Sequence, residues 1–303
     1  MTTSARGRVA SLAGFPPDGW RLLAARALRL FAAGFVSIVL TLYLDALRLP
    51  PAAIGAIFTA ALGGSALLTI IVASVADRVG RRRRHQRRQP GGGHRRLLML
   101  AGGLMALAGA AFALTDALWL LLLAAFIGVL SPGGGEVGSS LALEQAALAE
   151  TLPASRRTEV FAWANLVASA ATALGAFAAG AAVPLQRAGL APLDAYRLLL
   201  WVYAALGLAL VAVFATLSAA VEPRRVATLA THRWLGLHRS RALIGRFAGL
   251  LAWNSFAAGF AAQALVALWF VGRFGADAAT LGTIFLLTNL AGALSYPVAA
   301  RLA

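Results

Sequence analysis

The chain of 303 residues contains no cysteine and only 11 acidic residues, and charged residues make up 13% of it. The missing cysteine excludes disulfides, thiolate chemistry and cysteine metal sites. Soluble domains carry about 25% charged residues, so a chain this poor in charge and 60% hydrophobic cannot hide its apolar surface from water. Lysine is missing too: all 27 basic residues are arginine, and the formal net charge is +16. The few histidines, His85, His94, His232 and His238, all fall between apolar runs, so no histidine proton relay inside a membrane is expected.

What the chain has instead is long hydrophobic runs. Eight stretches nearly free of charge cover residues 27–47, 52–76, 97–115, 118–148, 158–183, 196–220, 247–271 and 278–302. Each is near or above the roughly 20 residues that a helix needs to cross the hydrocarbon core. The first is already full-length and no small-residue cleavage site follows a short core, so no cleavable signal peptide is expected. The reading is therefore an all-α, multi-pass membrane protein whose permanent partner is the lipid bilayer.

Placement of the arginines decides what the basicity means. All but Arg48, Arg187, Arg197 and Arg273 fall at the N-terminus, at alternate loops or at the C-terminus. That bias puts the N-terminus and the arginine-rich loops in the cytosol, as the positive-inside rule describes for an inner (plasma) membrane protein. It accounts for the charge without nucleic acid, for which no zinc-finger or stacking motif is present.

The runs divide into a polar lead (1–23), a six-span bundle (24–220), a central polar loop (221–245) and two further spans (246–303). An internal repeat supports the division. Phe31-Ala32-Ala33-Gly34-Phe35 in span one recurs as Phe256-Ala257-Ala258-Gly259-Phe260 in span seven. Ile54-Gly55-Ala56-Ile57-Phe58 has its counterpart in Leu281-Gly282-Thr283-Ile284-Phe285, so span seven restarts what span one began.

After span two stands Ala73-Ser74-Val75-Ala76-Asp77-Arg78-Val79-Gly80-Arg81-Arg82. It resembles the signature loop of the major facilitator superfamily, matching at Asp77, Arg78, Gly80, Arg81 and Arg82, with Ala73 where that family usually has glycine. The resemblance implies a fold of two six-helix bundles. Of these the chain would hold the first bundle and the first two helices of the second. The repeat offset puts the counterpart of Asp77 one residue past Ala303, so truncation after the eighth helix is expected. It also implies a small-molecule transporter with no cofactor or metal; an enzyme is not expected, because no paired nucleophile and base, metal cluster or nucleotide loop stands in the sequence. The motif would serve as a cytoplasmic gate, with Gly80 allowing a tight turn where the chain leaves the membrane. Glu150, Pro153 and Arg157 resemble the acid, proline and arginine pattern of sugar-porter-like members and would complete that gate. Residues 85–94 depart from the family as an insertion, and without a following Gly-Lys-Ser/Thr they are no phosphate loop. Span five lacks the Gly-Pro pair of the drug antiporters; Gly175 and Gly180 there are read as helix-packing residues.

Span four carries the strongest candidate for transport. Ser131-Pro132-Gly133-Gly134-Gly135 interrupts it and Glu136 follows at once. Proline removes a backbone donor and glycine loosens the helix, which would bring free carbonyls and a carboxylate together inside the bilayer. A carboxylate there is costly, so Glu136 is read as a proton or substrate contact. Glu144 would extend the path, and Asp45 stands at the outer end of span one. Asn165, Asn254, Gln263 and Asn289 are uncharged polar groups within spans, candidates for a cavity lining or for bonds between helices. Trp253 and Trp269 are candidates for stacking on substrate or for an interfacial belt. The implied partners are a small solute of unread class and protons. The alternative is a truncated, non-transporting membrane protein.

Overall fold

Proline opens three of the helices, at Pro17, Pro51 and Pro192, where the missing N–H would have had no intrahelical acceptor anyway. The computed structural model describes residues 17–82, 93–128, 130, 133, 157–218 and 241–302. Within them the helices are α1 (Pro17–Ala46), α2 (Pro51–Arg82), α3 (Gly93–Leu114), α4 (Leu118–Ile127), α5 (Arg157–Ala178), α6 (Ala182–Arg187), α7 (Pro192–Ala215), α8 (Arg241–Phe260), α9 (Gln263–Phe274) and α10 (Ala278–Leu302). A 3-10 turn at Ala179–Ala181 joins α5 to α6.

Among the described residues six stretches are long and apolar enough to cross a membrane: Pro17–Ala46, Pro51–Ile71, Arg95–Leu114, Trp163–Arg187, Pro192–Ala215 and Gly245–Phe274. The shorter apolar helices Leu118–Ile127 and Ala278–Leu294 fill the fourth and eighth places. The order is that of the eight apolar runs.

Helix α1 is the hub. Every residue from Ala32 to Leu44 is buried, because α5, α7 and α9 pack around it. A helix apolar on all sides suits such a central position as well as the lipid itself. Around this hub α3 lies along α7, α2 along α4, and α10 along α5. The α1–α5 contact depends on glycine at both sides. A Cβ at Gly34 would stand 2.2 Å from the Thr172 carbonyl oxygen, and one at Gly175 would stand 1.9 Å from that of Phe31. With no hydrophobic drive between helices in lipid, close backbone approach is what holds them together. The packing role read for Gly175 is thus seen directly. Outward-facing side chains such as Leu107, Leu208 and Leu250 are exposed and apolar, as a lipid-facing surface requires.

Several boundaries differ from the sequence reading. Helix α1 begins at Pro17, inside the polar lead, because Leu22, Leu23 and Ala25 bury one face of its first turns. Span five jogs through the 3-10 turn: Pro184 has no N–H to give the Gly180 carbonyl, so the helix tightens just before it. Span six stops at Ala215. The α2 helix runs on through Gly80 to Arg82, so Gly80 makes no turn there, and α3 starts at Gly93 within the expected insertion. The fourth helix ends at Ile127, ahead of Pro132, with Gly128 in an extended conformation.

The largest difference is in span seven, read as one continuous helix. It is broken at Ala261–Ala262, where Ala262 adopts φ −57°, ψ 133°. Alanine is the best helix former, so no local preference stops α8; the cause is the docking of α9 on α1. Residues 245–259 of α8 are exposed, while Gln263, Ala264 and Ala267 of α9 are buried.

Candidate functional site

Polar side chains gather at the break in span seven. Gln263, the first residue of α9, is 7% exposed and its Nε2 donates to the Ser37 hydroxyl at 2.9 Å. Ser37 donates in turn to the Gly34 carbonyl at 2.7 Å. One turn along α1, the Thr41 hydroxyl lies 2.8 Å from the Ser37 carbonyl and 3.3 Å from that of Ala264. A helix interruption frees backbone groups that hydrocarbon cannot satisfy, so it persists only where protein or a water-filled cavity meets it. Here α1 supplies the hydroxyls of Ser37 and Thr41 at that point.

Each end of the bundle carries its own clasp. At the arginine-rich end, Asp18 accepts from the backbone N–H of Ser218 at 3.2 Å and also from its hydroxyl. Arg21 pairs with Asp18 at 3.0 Å and donates to the Thr216 carbonyl at 2.8 Å, while Arg95 donates to the Ala215 carbonyl. These arginines cap the unpaired carbonyls that end α7, where the helix dipole favours positive charge. At the opposite end, Arg197 holds Asp116 through both carboxylate oxygens, at 2.8 and 2.6 Å, and Tyr43 donates to Asp116 at 3.1 Å. Asp194 lies 3.6 Å from Arg197. The Arg197 hydrogen bonds hold the Asp116 carboxyl below its ordinary value of 3.8, against a smaller opposing effect of burial. Asp277, in the turn before α10, is lowered as well, chiefly by its hydrogen bonds from Thr280.

A fourth polar contact is buried between α1 and α5: Arg26, 3% exposed, donates from Nη2 to Asn165 Oδ1 at 2.8 Å.

The sequence candidates are therefore dispersed. Gln263 enters the cluster at the break, and Asn165 meets Arg26. Asn289 is half-buried on α10, with its Nδ2 enclosed and lacking an acceptor. Asp45 and Asn254 are exposed. Trp253 is 74% exposed beside Phe256. Trp269 packs edge-on against Phe270 and Phe274 at 5.1 and 5.3 Å. Glu136, Glu144 and Glu150 lie outside the described residues, and so do the side chains of Asp77, Arg78, Arg81, Arg82 and Arg157. Among the described residues no three metal-ligating side chains converge.

Sequence reasoning passed over Asp18, Arg26, Ser37, Thr41, Asp116 and Arg197. Ser37 and Thr41 carried a usable signal: two hydroxyls one helical turn apart share a face of an otherwise apolar helix. Arg26 did not, since by spacing it is one more arginine before span one.

An all-helical bundle of apolar segments around a buried central first helix, with polar contacts inside its spans, defines a polytopic membrane protein. A family profile described as Major Facilitator Superfamily matches residues 22–303, and the chain belongs to that family. It is 32% identical over 204 residues to an uncharacterized membrane protein of Saccharomyces cerevisiae, YJR124C. That stretch covers 66% of this chain and 43% of the yeast protein, so the chain spans less than half the length of this relative. No solved structure matches the chain.

Proposed function

We propose that the chain is the transporting unit, or part of one, that moves a small solute across the plasma membrane by alternating access, with protons as the coupling ion. Family membership supports transport in general. The observation that carries the finer reading is the interrupted seventh span, whose second half buries Gln263 against Ser37 of α1. Discontinuous helices with polar groups at the interruption are what transporter sites are built from. In this reading residues 24–220 form one bundle, 221–245 a cytosolic loop and 246–303 the start of the second bundle. The joint between them is made by α9 on α1 and α10 on α5. Those contacts would slide, while the clasps at the two ends of α7 keep the first bundle rigid.

Asp77, Arg78, Gly80, Arg81 and Arg82, with Glu150 and Arg157, are the proposed gate on the cytosolic side. Glu136 and Glu144 are the proposed proton path, with Asp45 at its outer end, and Asn254 is the remaining polar group that α8 would offer to the cavity. The N-terminus is placed in the cytosol on the arginine bias. The test is solute uptake into proteoliposomes under an imposed pH gradient. Uptake that collapses with a protonophore and loses its pH dependence in Glu136→Gln supports the reading. Uptake with unaltered pH dependence in that variant removes Glu136 from the path, and failure of every solute to move with the gradient removes the coupling.

A further inference from the structure

Two arginines from different helices converge on the end of α7. Arg21 of α1 donates to the Thr216 carbonyl at 2.8 Å, and Arg95 of α3 donates to the carbonyl of Ala215, the residue before it. Adjacent carbonyls at one helix end bring the two guanidinium groups to the same spot. The seam between α3 and α7 fixes the register. Arg95, Gly102 and Gly109 stand seven residues apart on one face of α3. A Cβ at Gly102 would meet the Gly207 carbonyl at 3.1 Å, and one at Gly109 would meet the Leu200 carbonyl at 3.0 Å.

The bonding capacity of these arginines is not used up. A guanidinium carries five N–H donors in a planar fork. Arg95 gives one of them to Ala215, and its neighbour Arg96 has no acceptor among the described residues; both side chains are exposed. The acid at this spot is already satisfied. Asp18, 7% exposed, accepts from the backbone and the hydroxyl of Ser218 and from Arg21. Three arginines against one aspartate leave a net charge of about +2 here. The carbonyl end of α7 and the N-terminal end of α3 add opposite partial charges of about half a unit each, which nearly cancel.

The surface beside the arginines says which anion fits. Arg96 heads an outward stripe of α3 that continues through Leu100 and Leu107, which are 61% and 67% exposed. Between the two leucines a Cβ at Gly103 would meet nothing within 4 Å, which leaves a notch in the stripe. From Arg96 to Leu107 the helix rises about 16 Å, close to half of the roughly 30 Å hydrocarbon core. Trp20, 49% exposed and next to Arg21, is the residue type that sits at the headgroup level. We infer that Arg21, Arg95 and Arg96 form a headgroup site for an anionic phospholipid, with an acyl chain lying along Leu100, Gly103 and Leu107. A soluble anion would use the arginines alone; a phospholipid uses the arginines and the stripe together. The phosphodiester oxygens meet Arg95 and Arg96 through parallel N–H bonds, and Arg21 adds its charge from the other side of the α7 end. The bound lipid bridges α1 and α3 where both already cap α7. This site stands apart from the solute path proposed above and does not depend on it.

The test uses the full chain in dodecyl maltoside, a detergent with an uncharged headgroup. Native mass spectrometry counts the lipids retained as phosphatidylglycerol or phosphatidylcholine is titrated in, and thermal unfolding is followed in the same samples. Phosphatidylglycerol is expected to saturate at one tightly held molecule and to raise the midpoint by about 2 °C or more over phosphatidylcholine. Arg96→Gln should weaken its retention roughly fivefold, and Arg95→Gln should do the same. Because Arg96 has no partner among the described residues, its glutamine variant serves even if Arg95→Gln does not fold. The same loss of charge at the exposed Arg273 of α9 should leave retention unchanged in Arg273→Gln. Equal retention of the two lipids, a loss in Arg273→Gln as large as in Arg96→Gln, or an equal midpoint rise with inorganic phosphate alone overturns the proposal.

Discussion

Gln263 reaches from the first residue of α9 to the Ser37 hydroxyl, 2.9 Å away in the buried middle of α1, and the covalent chain bends at Ala261–Ala262 to let it. The pentapeptide Phe-Ala-Ala-Gly-Phe precedes both residues, as 31–35 and as 256–260. In α1 the helix continues past it; in α8 it stops there.

Replacing Gln263 with leucine should therefore do two things. It removes the donor to Ser37, and the loss of a buried hydrogen bond between membrane helices costs about 0.6–1.7 kcal/mol. It also removes the polar group that favours the break, so solute flux should fall by more than the stability loss accounts for. Thermal unfolding in detergent and proteoliposome uptake measure the two separately; unchanged flux at reduced stability would leave Gln263 a packing residue.

Close approach of α1 to α5 makes its own prediction. Gly34→Ala and Gly175→Ala each drive a methyl into a carbonyl oxygen nearer than contact distance. Overpacking of this kind costs about 1–3 kcal/mol. Gly103→Ala is the control, because a Cβ there meets nothing within 4 Å, and the better helix propensity of alanine should leave it neutral or slightly stabilising. Equal midpoints for Gly175→Ala and Gly103→Ala would contradict the packing described.

The Asp116–Arg197 pair carries a pH signature. Because the Arg197 bonds lower the Asp116 value in the folded state beneath 3.8, the stabilisation is fully present above that ordinary value. It is lost as pH falls through the lower, folded value. Both side chains are partly exposed, at 30% and 50%, so the contribution is small, about 0.2–1 kcal/mol. Wild type should exceed Asp116→Asn by a constant margin at pH 5 and above, and the margin should close below about pH 4. A margin that widened on acidification would reverse the assignment.

Absence of cysteine makes topology directly measurable. Gln86→Cys lies in the arginine-rich stretch and Ala188→Cys in the exposed turn after α6. A membrane-impermeant maleimide should label Gln86→Cys in inside-out vesicles and Ala188→Cys in intact cells. Labelling of Gln86→Cys from outside would overturn the orientation drawn from the arginines.

Composition was enough to declare an all-helical membrane protein and the order of its apolar segments, because a span announces itself by length and by lack of charge. The same kind of information found the small residues at helix contacts, since Gly175 had to serve packing if it served anything. The sequence could not say where a helix would stop for tertiary reasons. Ala261–Ala262 is good helix-forming sequence, and it breaks because Gln263 finds its acceptor on a helix more than 200 residues away. For the same reason Arg26 looked like a topology anchor until Asn165 met it across the α1–α5 seam. Hydropathy is a property of each residue with its near neighbours; a buried polar partnership belongs to two distant segments at once, and only the packed bundle brings them together.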